Sequence, residues 1–124
     1  PKDAQYTSAH MEYYPQALEA TIRYTAKNVK VPIYVTENGC STDDDAQRIA
    51  YIRTAVQGVA NCLKDGIPVK GYIHWSLLDN FEWIFGYGPH YGLIAVDRKT
   101  MKRTVKPSAR FLGQIARANG LVAA

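Results

Sequence analysis

Glu37 stands directly after Val31-Pro32-Ile33-Tyr34-Val35-Thr36 and directly before Asn38-Gly39. The preceding run is short, β-branched and apolar at both parities, which is the pattern of a parallel strand buried on both faces and opening at its proline. A carboxylate where the chain leaves the C-terminal end of such a strand lies where barrel enzymes build their active sites. It can act there as a nucleophile or a proton carrier; it can equally cap the next helix or pair with an arginine. A second segment has a related placement. Trp75-Ser76-Leu77-Leu78-Asp79-Asn80-Phe81-Glu82-Trp83 follows another apolar run from Val69, bringing two indoles and a second carboxylate to the same end of the sheet. Indole faces stack on the C–H face of a pyranose, and a carboxylate accepts hydrogen bonds from two adjacent hydroxyls, so this is the composition of a sugar site. The alternative is a core tryptophan pair with Glu82 in a salt bridge.

Elements of two kinds must hold these groups. Leu18, Ile22, Ala26 and Val29 recur at helical spacing after Pro15, a residue suited to a first turn. A second helix follows Glu37-Asn38-Gly39, with Thr42 as its N-cap and Asp43 to Asp45 at the positive end of its dipole. Ile49, Ile52, Val56, Val59 and Leu63 form its inward stripe; Gly66 caps its end, and Pro68 stops continuation before the strand from Val69 to Trp75. The long segment 76–106 is rich in Trp, Tyr, Gly and Pro, with a short strand expected at 93–96. A last helix begins at Pro107 and turns Phe111, Leu112, Ile115 and Ala116 inward, stopping near Gly120. Helices and strands alternate as a parallel α/β fold requires. Two strands lack neighbours on their outer edges, so residues 1–124 read as one sector of a barrel or larger sheet.

Composition narrows the function classes. A chain of 124 residues with 47% hydrophobic and 21% charged residues has ordinary globular values, leaving little room for disorder. The net charge of +4 comes from scattered Lys and Arg, whereas nucleic-acid binding calls for a concentrated basic face. No apolar run approaches the ~20 residues needed to span a bilayer. Cys40 and Cys62 flank the second helix at roughly 30 Å, too far for a disulfide, and two free thiols fit a reducing, cytoplasmic compartment. The chain opens at Pro1 without an initiator Met or a signal-peptide pattern, as it would if its start were removed or if it were a piece of something longer. Successive aspartates on a helix point in different directions, so Asp43 to Asp45 are expected to bind no metal.

Tyr34-Val35-Thr36-Glu37-Asn38-Gly39 together with residues 75–83 resembles the paired signature of family 1 glycoside hydrolases, in the same order and at a similar separation. The resemblance runs from Tyr14-Pro15 to Lys106-Pro107-Ser108-Ala109. It implies the C-terminal portion of a (β/α)8 barrel: helix six, strand seven, helix seven, strand eight and helix eight. It also implies roles. Glu37 matches the nucleophile that forms a covalent glycosyl-enzyme. Trp75 matches the platform under the sugar, Glu82 the carboxylate gripping the hydroxyls far from the scissile bond, and Trp83 an indole donor beside it. Because a carboxylate would repel a phosphorylated sugar, Glu82 favours an unphosphorylated substrate such as a β-glucoside or short β-linked oligosaccharide.

The pattern departs at His90-Tyr91-Gly92, where the family commonly has Arg-Phe-Gly. Tyr91 keeps an aromatic wall and adds a hydroxyl, while His90 gives up a permanent charge. His74 is read as a core residue, His10 as a surface one, and Asp79 and Asn80 as residues that pin the loop backbone. No cofactor or metal is implied. Retaining hydrolysis needs two carboxyls about 5–5.5 Å apart, and the family's Asn-Glu-Pro acid/base triplet does not occur in this sequence. The chain alone is therefore expected to be inactive, and to pair with a missing N-terminal barrel portion or with itself. A structural or sugar-binding module without hydrolysis is the alternative.

Overall fold

The computed structural model describes residues 2–122. β1 (Ile33–Asn38) and β2 (Val69–His74) lie side by side in parallel, with Ile33 opposite Val69, Val35 opposite Tyr72 and Asn38 opposite His74. The crossover between them is α2 (Asp45–Lys64), flanked by α1 (Ala17–Asn28) and α3 (Pro107–Ala118). Within the long segment lies an antiparallel pair, β3 (Ile94–Val96) and β4 (Arg103–Val105). β3 meets the expected short strand, while β4 went unread because Arg103-Thr104-Val105 is exposed throughout and carries no burial pattern.

The helices cover one face of β1 and β2. Ile22, Val35, Cys62 and Val69 form one buried cluster, and Ile52, Leu93, Phe111 and Ile115 a second one on the other flank of α2. Each buried aliphatic side chain contributes roughly 1.5–3 kcal/mol. On the opposite face, Tyr34 and Ile73 are 64% and 59% exposed. Side chains alternate across a strand, so one face is packed and the other open.

Of the expected inward stripe of α2, Ile52 is buried and Ile49, Val56 and Val59 are half-buried against the two clusters, and only Leu63 fails to turn inward. Arg48, Ile52, Ala55, Gly58 and Cys62 are its buried residues, and Leu63 is exposed. Small residues face α1 here because the helices touch closely: a Cβ on Gly58 would lie 2.8 Å from the Cβ of Glu19. Leu63 and the likewise exposed Ala116 instead line an open groove of about 310 Å³ with Val69 and Leu112. Val29 is exposed beyond the end of α1, which starts two residues after Pro15.

The N-cap of α2 is Asp44, not Thr42. Asp44 accepts the Ala46 N–H at 2.9 Å, while the Thr42 hydroxyl accepts the Asp44 N–H and donates to Gln47. Of the three aspartates only Asp45 sits in the first turn. It accepts the amide and hydroxyl of Ser108 at 2.8 and 2.7 Å, anchoring the start of α3, and pairs with Arg48. Burial opposes its ionisation, but the Ser108 and Arg48 hydrogen bonds outweigh that and hold its carboxyl below the ordinary range. Arg48, 1% exposed, also donates to the carbonyls of Thr42 and His90 at 2.5 and 2.7 Å. One buried guanidinium thus ties the loop after β1 to the loop after β2. Cys40 and Cys62 are both buried and unbridged.

Candidate active site

Glu37 and Trp75 are brought together by the register of β1 and β2. Asn38 pairs with His74, and the Trp75 N–H donates to the Asn38 carbonyl at 2.9 Å. The pairing is irregular between Val35 and Asn38, so Thr36 and Glu37 are both exposed while Asn38 turns to α2. There the Asn38 side chain donates to the Tyr51 hydroxyl at 3.2 Å and accepts the Tyr72 hydroxyl at 3.0 Å. Glu37 neither caps α2, which Asp44 does, nor joins an ion pair among the described residues.

The two strand ends touch at backbone level. A Cβ on Gly39 would fall 1.9 Å from the Trp75 carbonyl oxygen. Beyond Trp75 the chain crosses back through Ser76, whose N–H donates to the Tyr91 carbonyl at 3.2 Å and whose carbonyl accepts from Leu93 at 2.9 Å. This closes a loop that carries the remaining candidates. Glu82 is 7% exposed, and its Oε1 is buried without a hydrogen-bond partner among the described residues. Trp75 is 36% and Trp83 80% exposed, with Trp83 at φ 52° opening a 3-10 turn, Trp83–Phe85. These exposures, and the absence of an ion pair at Glu82 among the described residues, do not describe a core tryptophan pair with a salt bridge.

Tyr91 is partly buried, and its hydroxyl donates to the Met11 sulfur at 3.6 Å. Burial first, then the charges of Glu82 and Cys40, raise its phenol above the ordinary range. His90, which stands where the family commonly has arginine, contacts Asp43 through Nδ1 at 2.6 Å. His10 is exposed. Asp79 and Asn80 do pin the loop: Asp79 accepts the Gly92 N–H at 2.8 Å, and Asn80 donates to the Ser76 hydroxyl and the Leu78 carbonyl at 3.1 Å. Sequence reasoning passed over Arg48, Arg98 and Lys106, three cations that hold these loops; the one available signal was the i,i+3 spacing of Asp45 and Arg48. No group of His, Cys, Asp and Glu able to hold a metal ion occurs among the described residues.

His74 is a core residue, 8% exposed, with both ring nitrogens buried and unpartnered among the described residues. Burial, then the nearby Arg48 charge, push its imidazole down to about 4. Above pH ~6.5 it is neutral folded or unfolded; as pH falls from there toward 4, the unfolded chain takes up a proton that the folded chain refuses. Stability is therefore expected to drop by up to about 3 kcal/mol over that window. Urea unfolding of His74→Gln at pH 7 and pH 4.5 should show a shallower loss than the unmodified chain; equal losses would count against this assignment.

A parallel βαβ unit with helices on one face is the repeating unit of α/β barrels, and the C-terminal end of its strands, where Glu37 and Trp75 lie, is where such barrels carry their active sites. The chain belongs to glycosyl hydrolase family 1, whose family model matches residues 2–121. A 1,4-beta-D-glucan glucohydrolase of Thermotoga neapolitana is 42% identical over 98 residues, 72% of this chain and 22% of that protein. The apo structure of a β-glucosidase designated 1317 superposes with a TM-score of 0.94 at 54% identity, covering 99% of this chain and 30% of that one. A family 1 β-glucosidase from Thermotoga maritima gives a TM-score of 0.93 at 32% identity, covering 98% and 30%. The chain thus spans between a fifth and a third of the length of these relatives, and its fold is a partial α/β barrel. No described helix is long and apolar enough to cross a membrane.

Proposed function

We propose that residues 1–124 are the C-terminal sector of a retaining β-glucosidase acting on terminal, unphosphorylated β-D-glucosides. In this reading Glu37 attacks the anomeric carbon as the bond to the leaving oxygen breaks. That oxygen takes its proton from a carboxylic acid in another part of the barrel; water then cleaves the glycosyl ester with the same group as base. Trp75 forms the platform, and Glu82, Trp83 and Tyr91 surround the hydroxyls remote from the scissile bond. The observation that carries the reading is the strand register, which sets Glu37 beside Trp75 while Glu82 waits with a buried, unpartnered oxygen. A dry carboxylate oxygen of that kind is costly unless a ligand satisfies it.

Hydrolysis of an aryl β-D-glucoside by the complete barrel is expected to release β-glucose first, as NMR of the initial product would show. First release of the α anomer would rule out double displacement. The isolated chain carries half of the required carboxyl pair and should not turn over; robust turnover that Glu37→Gln abolishes would overturn that expectation. Open edges on β1 and β2 and an open face containing Tyr34 and Ile73 should also make it self-associate or pair with the rest of the barrel. A strictly monomeric sedimentation profile in dilute solution would argue the other way.

A further inference from the structure

Between Asp79 and Gly92 the chain makes an excursion that carries Glu82, Trp83 and Tyr91. Within it, the turn at Glu82 bonds to itself: the Glu82 N–H donates to the Gly86 carbonyl at 2.7 Å, and the Phe85 N–H to the Glu82 carbonyl at 3.0 Å. With Oε1 of Glu82 unpartnered, that carboxylate is placed by the backbone of the excursion, which is held at its two feet and, at its middle, by the Phe81–Tyr87 edge contact and by Arg98, whose guanidinium lies 4.3 Å over the Tyr87 ring and donates to the Asp79 carbonyl. The feet are in contact. A Cβ on Gly92 would lie 2.1 Å from the Asp79 nitrogen.

One ammonium group bridges them. Lys106 Nζ donates to Asp79 Oδ1 at 3.0 Å and to the Gly92 carbonyl at 2.8 Å, and stands 2.9 Å from Asp79 Oδ2. Asp79 Oδ1 in turn accepts the Gly92 N–H at 2.8 Å, closing a three-way contact. The Lys106 and Asp79 side chains are only 15% and 11% exposed, so water screens the pair little. Lys106 is itself fixed, since it immediately precedes Pro107 at the start of α3 and its N–H donates to the Leu93 carbonyl at 3.0 Å.

We propose that Lys106 is a positioning residue for glycone recognition: by clasping Asp79 to Gly92 it sets where Glu82 and Trp83 meet the sugar hydroxyls, without touching the sugar. This rests on the reading of Glu82 as the carboxylate that accepts those hydroxyls. A loosened clasp leaves the chemistry at Glu37 in place and costs the hydrogen bonds made at the far end of the sugar. Its signature is a loss that depends on the substrate.

The experiment compares Lys106→Met with the unmodified complete enzyme on an aryl β-D-glucoside and on its 4-deoxy analogue. For the glucoside, kcat/KM should fall about 10-fold, mainly through KM, whereas the deoxy analogue should lose less than about 2-fold. Lys106→Arg, which keeps the charge, should restore most of the difference. Equal losses on both substrates, or no loss on the glucoside, overturn the proposal. Glu82→Gln is assayed in parallel. If it discriminates between the substrates and Lys106→Met does not, the clasp alone is refuted; if Glu82→Gln does not discriminate, the reading beneath it falls as well. Should Lys106→Met fail to fold because Asp79 is left as an unpaired charge, the neutral pair Asp79→Asn with Lys106→Met gives the same comparison.

Discussion

Glu37→Gln in the complete barrel is expected to lower kcat/KM for an aryl β-glucoside by on the order of 10⁴-fold or more. Four decades correspond to about 5 kcal/mol of transition-state stabilisation, more than the loss of a single hydrogen bond explains and in keeping with removal of the attacking group. The amide is isosteric but cannot form the glycosyl ester. Glu37 is exposed and has no hydrogen-bond or ion-pair partner among the described residues, so the same substitution should leave the melting temperature within a degree or so. That combination separates the reading from a structural one. A helix-capping or ion-pairing glutamate would lose stability and keep activity, and such a result would remove Glu37 from the site. Glu37→Ala with added azide sharpens the test, because a small anion entering the space left by the carboxylate should attack the same carbon and restore turnover. Failure of azide to restore anything would weaken the assignment of the nucleophile.

The second large effect concerns a residue with no chemistry of its own. Gly39→Ala should destabilise the fold by about 3 kcal/mol or more, lowering the melting temperature by roughly 10 °C. The added methyl would sit 1.9 Å from the Trp75 carbonyl oxygen, 3.0 Å from its carbon and 3.2 Å from His74 Cε1. The nearest obstacles are backbone, so no rotamer change relieves them. Relief requires the ends of β1 and β2 to part, breaking the 2.9 Å bond from the Trp75 N–H to the Asn38 carbonyl. Since that contact also spaces Glu37 from Trp75, activity should fall by about 100-fold in whatever fraction folds, the cost of an ångström-scale misplacement. Gly113→Ala is the control. It lies inside α3 with its nearest neighbour, an Arg117 side-chain nitrogen, at 3.6 Å, and there alanine should stabilise by about 0.5–1 kcal/mol. If both substitutions behave alike, steric contact at the strand ends is not what Gly39 serves.

The βαβ order and the last helix could be read from the sequence, because each rests on a local pattern: a β-branched run, a helical period, a proline at an element's start. Glu37 was expected directly after the strand and instead lies inside β1, one residue before its end. What escaped depends on contacts between elements. Four successive polar residues, Thr42 to Asp45, each could cap α2, and only the approach of Ser108 and the Ala46 amide assigns Asp45 and Asp44 their separate duties. The stripe of large aliphatics on α2 pointed toward Leu63, whereas close packing against Glu19 selects the small residues Gly58 and Cys62 for the interface. Arg48 and Lys106 were passed over, since a local sequence pattern does not announce that a charge will be buried among carbonyls from distant loops. Glu82 and the tryptophans were legible as a composition; that Glu82 would be dry and Trp83 open was not.

The open face of the β1–β2 pair also alters what unfolding this chain can release. Tyr34 and Ile73 are hydrated before the chain unfolds, so denaturation exposes less new apolar surface than in a fold covered on both sides. Heat-capacity change and denaturant sensitivity both scale with newly exposed surface, and both are accordingly expected to be small for the length of this chain. A flat stability curve and a broad urea transition should follow, and both should sharpen when another surface covers that face.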